Sequence, residues 1–148
     1  MKVIILITGI FIILQVSIGI TQTIPDTEPD SLQVFNINNC VNQFDSVKTV
    51  ATEVGYQYWF VDKTFLDGRT LKMSVVGPHS ATHKPHKHPE DEFFFVLEGK
   101  AEFYLDGKTT EAVPYASFYC PPNSLHGIRN VGDSELKYLV IKKYPESK

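Results

Sequence analysis

Short runs of β-branched and aromatic residues, each cut off by a glycine, a proline or an Asp-Gly pair, fill residues 56–144. Punctuation at this spacing favours strands joined by tight turns. "YQYWFVDKTF" (56–65) reads as a strand, Asp67-Gly68 in "LDGR" as a type I′ hairpin turn, and "TLKMSVVG" (70–77) as the returning strand. "EFFFVLEG" (92–99) and "KAEFYLDG" (100–107) read as a second hairpin, after which Asp106-Gly107 turns the chain into "KTTEAV". "ASFYCPP" (116–122) is a short strand stopped by two prolines, and "ELKYLVIKKY" (135–144) is a strong terminal strand. Helical periodicity is weak. Its best stretch is "VNQFDSVKTV" (41–50), where Val41, Phe44, Val47 and Lys48 approach one face. Many evenly spaced strands predict a small all-β sandwich or barrel, and 148 residues predict one domain.

The first residues read differently. "MKVIILITGIFIILQVSIGITQT" has one lysine, an apolar core and then small and polar residues, the pattern of a secretory signal peptide spanning residues 1–23. Cleavage after Gly19 or Thr21 fits, because Ser17, Gly19 and Thr21 are small. A membrane anchor is the rival reading. Thr8, Gly9, Gln15, Ser17 and Gly19 interrupt the run, which leaves it marginal for a bilayer core needing about 20 apolar residues. Residues 24–34, with the acidic "PDTEPDS", read as a flexible leader, and residues 35–148 as the domain. The expected location is secreted or periplasmic, with no stable membrane span after cleavage. Removing residues 1–23 deletes only Lys2, so the formal charge of −3 becomes −4. That balance carries no basic footprint for nucleic acid. In an exported protein Cys40 and Cys120 either pair or stay as two thiols.

The chemistry concentrates in "HKPHKHPEDEFFFVLEG" (83–99), which holds three of the five histidines within six residues. In a strand, residues i and i+2 share a face, so His86 and His88 can converge on one point. A turn at "PED" can bring the Glu92 carboxylate to the same side. His126, in "PPNSLHGIRN", supplies a third imidazole if its strand lies alongside. Three neutral imidazoles and a carboxylate suit one divalent transition metal (Fe, Mn, Ni, Zn or Cu) and leave coordination positions open. His79 and His83 line the mouth or are solvated. Lys84 and Lys87 read as outer-face charges, with attraction of an anionic substrate as the alternative. The aromatic residues read first as core, with Tyr58, Phe94 and Tyr119 as pocket candidates. Asn130 reads as a turn or hydrogen-bonding residue. No phosphate loop, nucleophile elbow or Cys–His pair stands out.

The segment "HKHPEDEFFFVLEG" resembles the first motif of the cupin superfamily: two histidines spaced by one residue, a glutamate, then a glycine, here His86, His88, Glu92 and Gly99. "PPNSLHGIRN" resembles the second, with Pro121, Asn123, His126 and Asn130 in its places. The resemblance covers roughly residues 70–144 and implies a small jelly-roll β-barrel. It also implies that His86, His88, Glu92 and His126 are metal ligands. Asn123 and Tyr115 stand where the second motif commonly has glycine, and the glycine before the first motif is displaced to Gly77.

What the resemblance implies about function is an exported metal-dependent enzyme on a small carbohydrate or carboxylate. Glu92 would serve as catalytic proton acceptor when it leaves the metal. Conversion of unsaturated uronates in polysaccharide breakdown is one concrete form. An Fe(II) dioxygenase and a non-enzymatic sugar- or metabolite-binding module remain as alternatives. The expected partner is a small-molecule substrate. A homodimer is also open, with "ELKYLVIKKY" as a free edge strand needing cover.

Overall fold

The computed structural model describes residues 35–65 and 67–145. The proposed signal peptide and the acidic leader lie outside the described residues, while Phe35–Lys148 forms one compact unit. Among the described residues no helix is long and apolar enough to cross a membrane.

Among the described residues, nine strands follow two short helical turns. The chain runs α1 (Ile37–Cys40), a 3-10 turn (Ser46–Lys48), β1 (Val50–Thr52), β2 (Gly55–Val61), β3 (Arg69–Val76), β4 (Glu92–Glu98), β5 (Ala101–Leu105), β6 (Lys108–Ala112), β7 (Ser117–Cys120), β8 (His126–Asn130) and β9 (Leu136–Lys143). They form a six-stranded sheet in the order β1-β2-β3-β9-β4-β7 and a three-stranded sheet in the order β6-β5-β8. Every named pairing is antiparallel. Val76, Phe94, Val96, Leu136, Tyr138 and Val140 of the larger sheet share one core with Ala101, Phe103 and Ile128 of the smaller. Phe103 stacks on Phe118 across the layers at 4.7 Å between ring centroids. The all-β jelly-roll expectation therefore holds.

Four local expectations are corrected. The 41–50 segment is not a helix: α1 ends at Cys40 and only the 3-10 turn at Ser46–Lys48 follows. Asn36 and Asp45 hold these turns by side-chain caps. The second hairpin does not exist either, because β4 belongs to the large sheet and β5 to the small one. Gly99 carries the chain between them at φ +87°, where an added Cβ would lie 2.4 Å from the Glu135 carbonyl oxygen. At residues 62–68 the link is longer than a two-residue turn, since the last residue of β2, Val61, pairs with Leu71. Asp67-Gly68 keeps positive φ but docks on Tyr144, whose N–H donates to the Gly68 carbonyl. Only Asp106-Gly107 closes as read, with Leu105 opposite Lys108. Finally, β9 is no edge strand: it sits between β3 and β4, so the edge-cover argument for a dimer falls away. A strand with alternating apolar and cationic residues looks the same in sequence at an edge or in a centre.

Tyr115 and Asn123 have φ of 71° and 60°. These are the two positions where the motif commonly has glycine, and the left-handed turns it serves are kept. Both cysteines are free thiols, Cys40 exposed and Cys120 buried.

Candidate metal centre

Two segments build the centre. β8 opens at His126, which forms a two-way backbone bridge with His86: the His86 N–H donates to the His126 carbonyl at 3.0 Å and the His126 N–H to the His86 carbonyl at 2.9 Å. The Asn123 N–H donates to the His88 carbonyl at 2.8 Å, fixing the second histidine. Glu92 opens β4 and faces inward beside Lys142 and Cys120 on the neighbouring strands. The donor atoms of His86, His88, Glu92 and His126 all lie within 4.8 Å of one another. His126 is fully buried and Glu92 nearly so.

Each imidazole is oriented the same way. His86 Nδ1 faces the Lys84 carbonyl at 3.3 Å, His88 Nδ1 the Glu90 carbonyl at 2.7 Å, and His126 Nδ1 the Ser124 carbonyl at 2.8 Å. A carbonyl only accepts, so Nδ1 carries the proton and Nε2 keeps a lone pair. His126 Nε2 then meets Glu92 Oε1 at 3.0 Å with two acceptors facing. His88 Nε2, 3.6 Å from the same oxygen, is buried with no hydrogen-bond partner. Opposed acceptors and an orphaned buried nitrogen are costly unless a cation lies between them. These four residues therefore fit a divalent metal ion. Burial holds His86 below the usual histidine range, against the opposing Lys84 carbonyl, and the other imidazoles add to the shift. That favours the neutral, ligating form. The Cys120 thiol is pushed far above its ordinary range by burial and by the Glu92 charge, which makes it an unreactive neighbour.

His86, His88 and Glu92 line a cavity of about 130 Å³ together with Lys72, Phe94, Tyr138 and Lys142, and His126 is buried behind them. Of the three pocket candidates, Phe94 lines this cavity, 6.4 Å from the His126 ring. Tyr58 and Tyr119 do not. Tyr58 lies on the far face of the large sheet, its ring 4.9 Å from Phe44 and its hydroxyl donating to the Gln43 carbonyl. Tyr119 is half exposed and packs on Phe93 at 4.9 Å on the outer surface. Alternation within β2 and β7 decides both, and it cannot be phased from sequence until the neighbours are known. His83 borders the cavity, whereas His79 pairs with Asp133 at 2.9 Å on the exterior. Lys84 and Lys87 are exposed.

The cationic cavity residues that sequence reasoning missed are Lys72 and Lys142. Lys142 is opposite Glu92, and Lys72 is opposite Val140, which is itself opposite Phe94. The available signal was a lysine in phase with core positions: Lys72 falls between Thr70 and Ser74, and Lys142 two residues after Val140. Burial holds the Lys72 ammonium below the usual lysine range; Lys142 adds to this and Glu92 opposes it. Because the folded pKa lies below the unfolded one, the unfolded chain binds more protons between the two values. The full cost is therefore present at neutral pH and fades as pH climbs toward 10.5. Replacing Lys72 with methionine is accordingly expected to raise the Tm of the metal-free protein at pH 7 by roughly 2–4 °C. The gain shrinks near pH 10 in parallel thermal melts.

Comparison with known proteins agrees with this architecture. The Cupin domain family model matches residues 72–142, the span from Lys72 through Lys142 that holds all four cluster residues. The uncharacterized protein MJ1618 of Methanocaldococcus jannaschii is 35% identical over 63 residues, which is 42% of this chain and 50% of that one. The chain thus spans about half the length of that relative. A predicted oxalate decarboxylase from Thermotoga maritima superposes with a TM-score of 0.63 at 19% identity, over 70% of this chain and 97% of its own. The polyketide cyclase RemF from Streptomyces resistomycificus gives 0.59 at 20% identity, over 70% and 79%. At these identities the two structures speak for the fold alone. Motif spacing, strand order and family match converge, and residues 72–142 of the chain form a cupin domain.

Proposed function

We propose that this protein is an exported, metal-dependent enzyme acting on a small carboxylate or carbohydrate. One observation carries the reading: three imidazole nitrogens and a carboxylate converge at the base of a small cavity, with one nitrogen buried and unpartnered. A divalent ion held by His86, His88, Glu92 and His126 would supply Lewis-acid polarisation of a substrate oxygen. The chain contributes the rest. The three Nδ1–H groups donate to carbonyls and fix the ring orientations. Phe94, Tyr138 and Val140 limit water around the reacting group. Glu92, which lines the cavity, would accept a proton. The uronate form of the reading rests on resemblance alone.

The test is metal analysis of the purified protein followed by turnover. About one divalent ion per chain is expected, with activity lost on chelation and restored by the metal. Tight ligand binding without turnover would move the protein to the binding-module class, and oxygen consumption with substrate to the dioxygenase class. Export rests on the apolar stretch of residues 1–23. N-terminal sequencing of protein recovered from outside the cytoplasm checks it, the expected start lying just after Gly19 or Thr21.

A further inference from the structure

Lysines are seldom placed on the inward face of a barrel, because a buried ammonium loses its hydration. This one has two, side by side with the metal-ligand cluster. Lys142 has a side chain only 9% exposed, with its Nζ 3.4 Å from Glu90 Oε2 and 4.8 Å from the Tyr144 ring centroid. Lys72 Nζ lies 5.1 Å from the Trp59 ring centroid and has no ion pair among the described residues. The adjoining inward positions are held by Thr70, Ser74 and Val140, all smaller and uncharged. We propose that Lys72 and Lys142 form an anion subsite beside the cluster, through which the cavity selects a small dicarboxylate over a neutral molecule of the same size.

This inference deepens the metal-dependent reading and rests on it for the second cationic pole. Formal charges set the class. Glu90 and Glu92 contribute two negative charges and the two lysines two positive ones, so the cavity region is balanced without a metal. A divalent ion leaves it with an excess of two positive charges, which a dianion neutralises. That positive charge is divided between the cluster and the ammonium groups. An anion with two separate charged ends meets both, whereas phosphate gathers its charge on one centre. Size points the same way. The inner cavity of about 130 Å³ accommodates a small acyclic dicarboxylate. Ammonium–carboxylate hydrogen bonds inside such a site are stronger than neutral ones, so each lysine contributes measurably to selection.

The test is calorimetric titration of the full chain, loaded with cobalt(II), against malonate, its neutral diamide malonamide, and inorganic phosphate. Malonate is expected to bind about ten-fold or more tighter than either alternative. Lys72→Gln and Lys142→Gln are each expected to weaken malonate by about ten-fold while leaving cobalt content unchanged, and Lys72→Arg to recover most of the loss. Equal binding of malonate and malonamide, tighter binding of phosphate, or lysine variants that bind malonate like the parent would each overturn the subsite. The metal reading is scored separately by cobalt uptake. If cobalt does not bind, that reading fails. Malonate binding that still depends on the lysines would then support the subsite, and no malonate binding at all would overturn it.

Discussion

Replacing His126 with alanine is expected to remove most of the metal-dependent stabilisation of this protein. A ligand that binds the folded chain at about 1,000 times its Kd adds about 4 kcal/mol. In a domain of this size that corresponds to roughly 10–20 °C in Tm. Loss of a residue that merely orients a ligand weakens metal binding by about 10–100-fold. His126 is itself a donor, fully buried, with its Nε2 3.0 Å from Glu92 and its ring 5.1 and 4.8 Å from those of His86 and His88. Its removal is therefore expected to cost more than about 100-fold in affinity and to leave only a few degrees of metal response. Thermal melts with chelator and with excess metal measure this directly. An undiminished rise in the variant would mean that the ion sits elsewhere, with the neighbouring His79 and His83 tract the next place to look.

The second large effect lies away from the metal. Asn130 is 1% exposed and closes four hydrogen bonds with one side chain. Its two amide N–H groups are shared among the carbonyls of Val76, Gly77 and Ser134, at 3.0, 2.9 and 2.7 Å from the nitrogen, and its amide oxygen accepts from the Gly132 N–H at 2.9 Å. It thereby ties the end of β3, the 132–134 turn and β8 into one unit. Alanine would leave these groups unsatisfied at about 1–3 kcal/mol for each one that water cannot reach. Asn130→Ala is expected to lower the unfolding free energy by roughly 3 kcal/mol or more, read as the midpoint shift in urea denaturation, with metal stoichiometry retained in the folded fraction. A loss below about 1 kcal/mol would show that solvent replaces those bonds.

Asn130 also shows how the two levels of reading relate. Its residue type and position suggested a turn or hydrogen-bonding role, and the structure supplies the partners. The same holds for Tyr115 and Asn123, where departures from glycine look like loosened turns in sequence yet keep the left-handed backbone. The four-residue cluster was legible because it depends on side-chain type and on short spacing. The other two cluster residues, His88 and Glu92, follow His86 within six positions, and only one long-range pairing, to His126, was required. What failed was the assignment of neighbours. β4 and β5 are adjacent in sequence and separated in space by Gly99, β9 is strong enough to be a terminal edge and lies in the centre, and Tyr58 and Tyr119 alternate outward.

By itself the sequence determined the strand content, the Asp106-Gly107 turn and the set of donor atoms, all consequences of residue chemistry and local spacing. The tertiary structure alone decided which sheet each strand joined and which face of each strand met the cavity. It therefore also decided that Lys72 and Lys142, not Lys84 and Lys87, stand beside the cluster. The physical reason is that a strand has two equivalent faces and two edges, and only pairing across the sheets, through hydrogen bonds and burial far apart along the chain, breaks that equivalence.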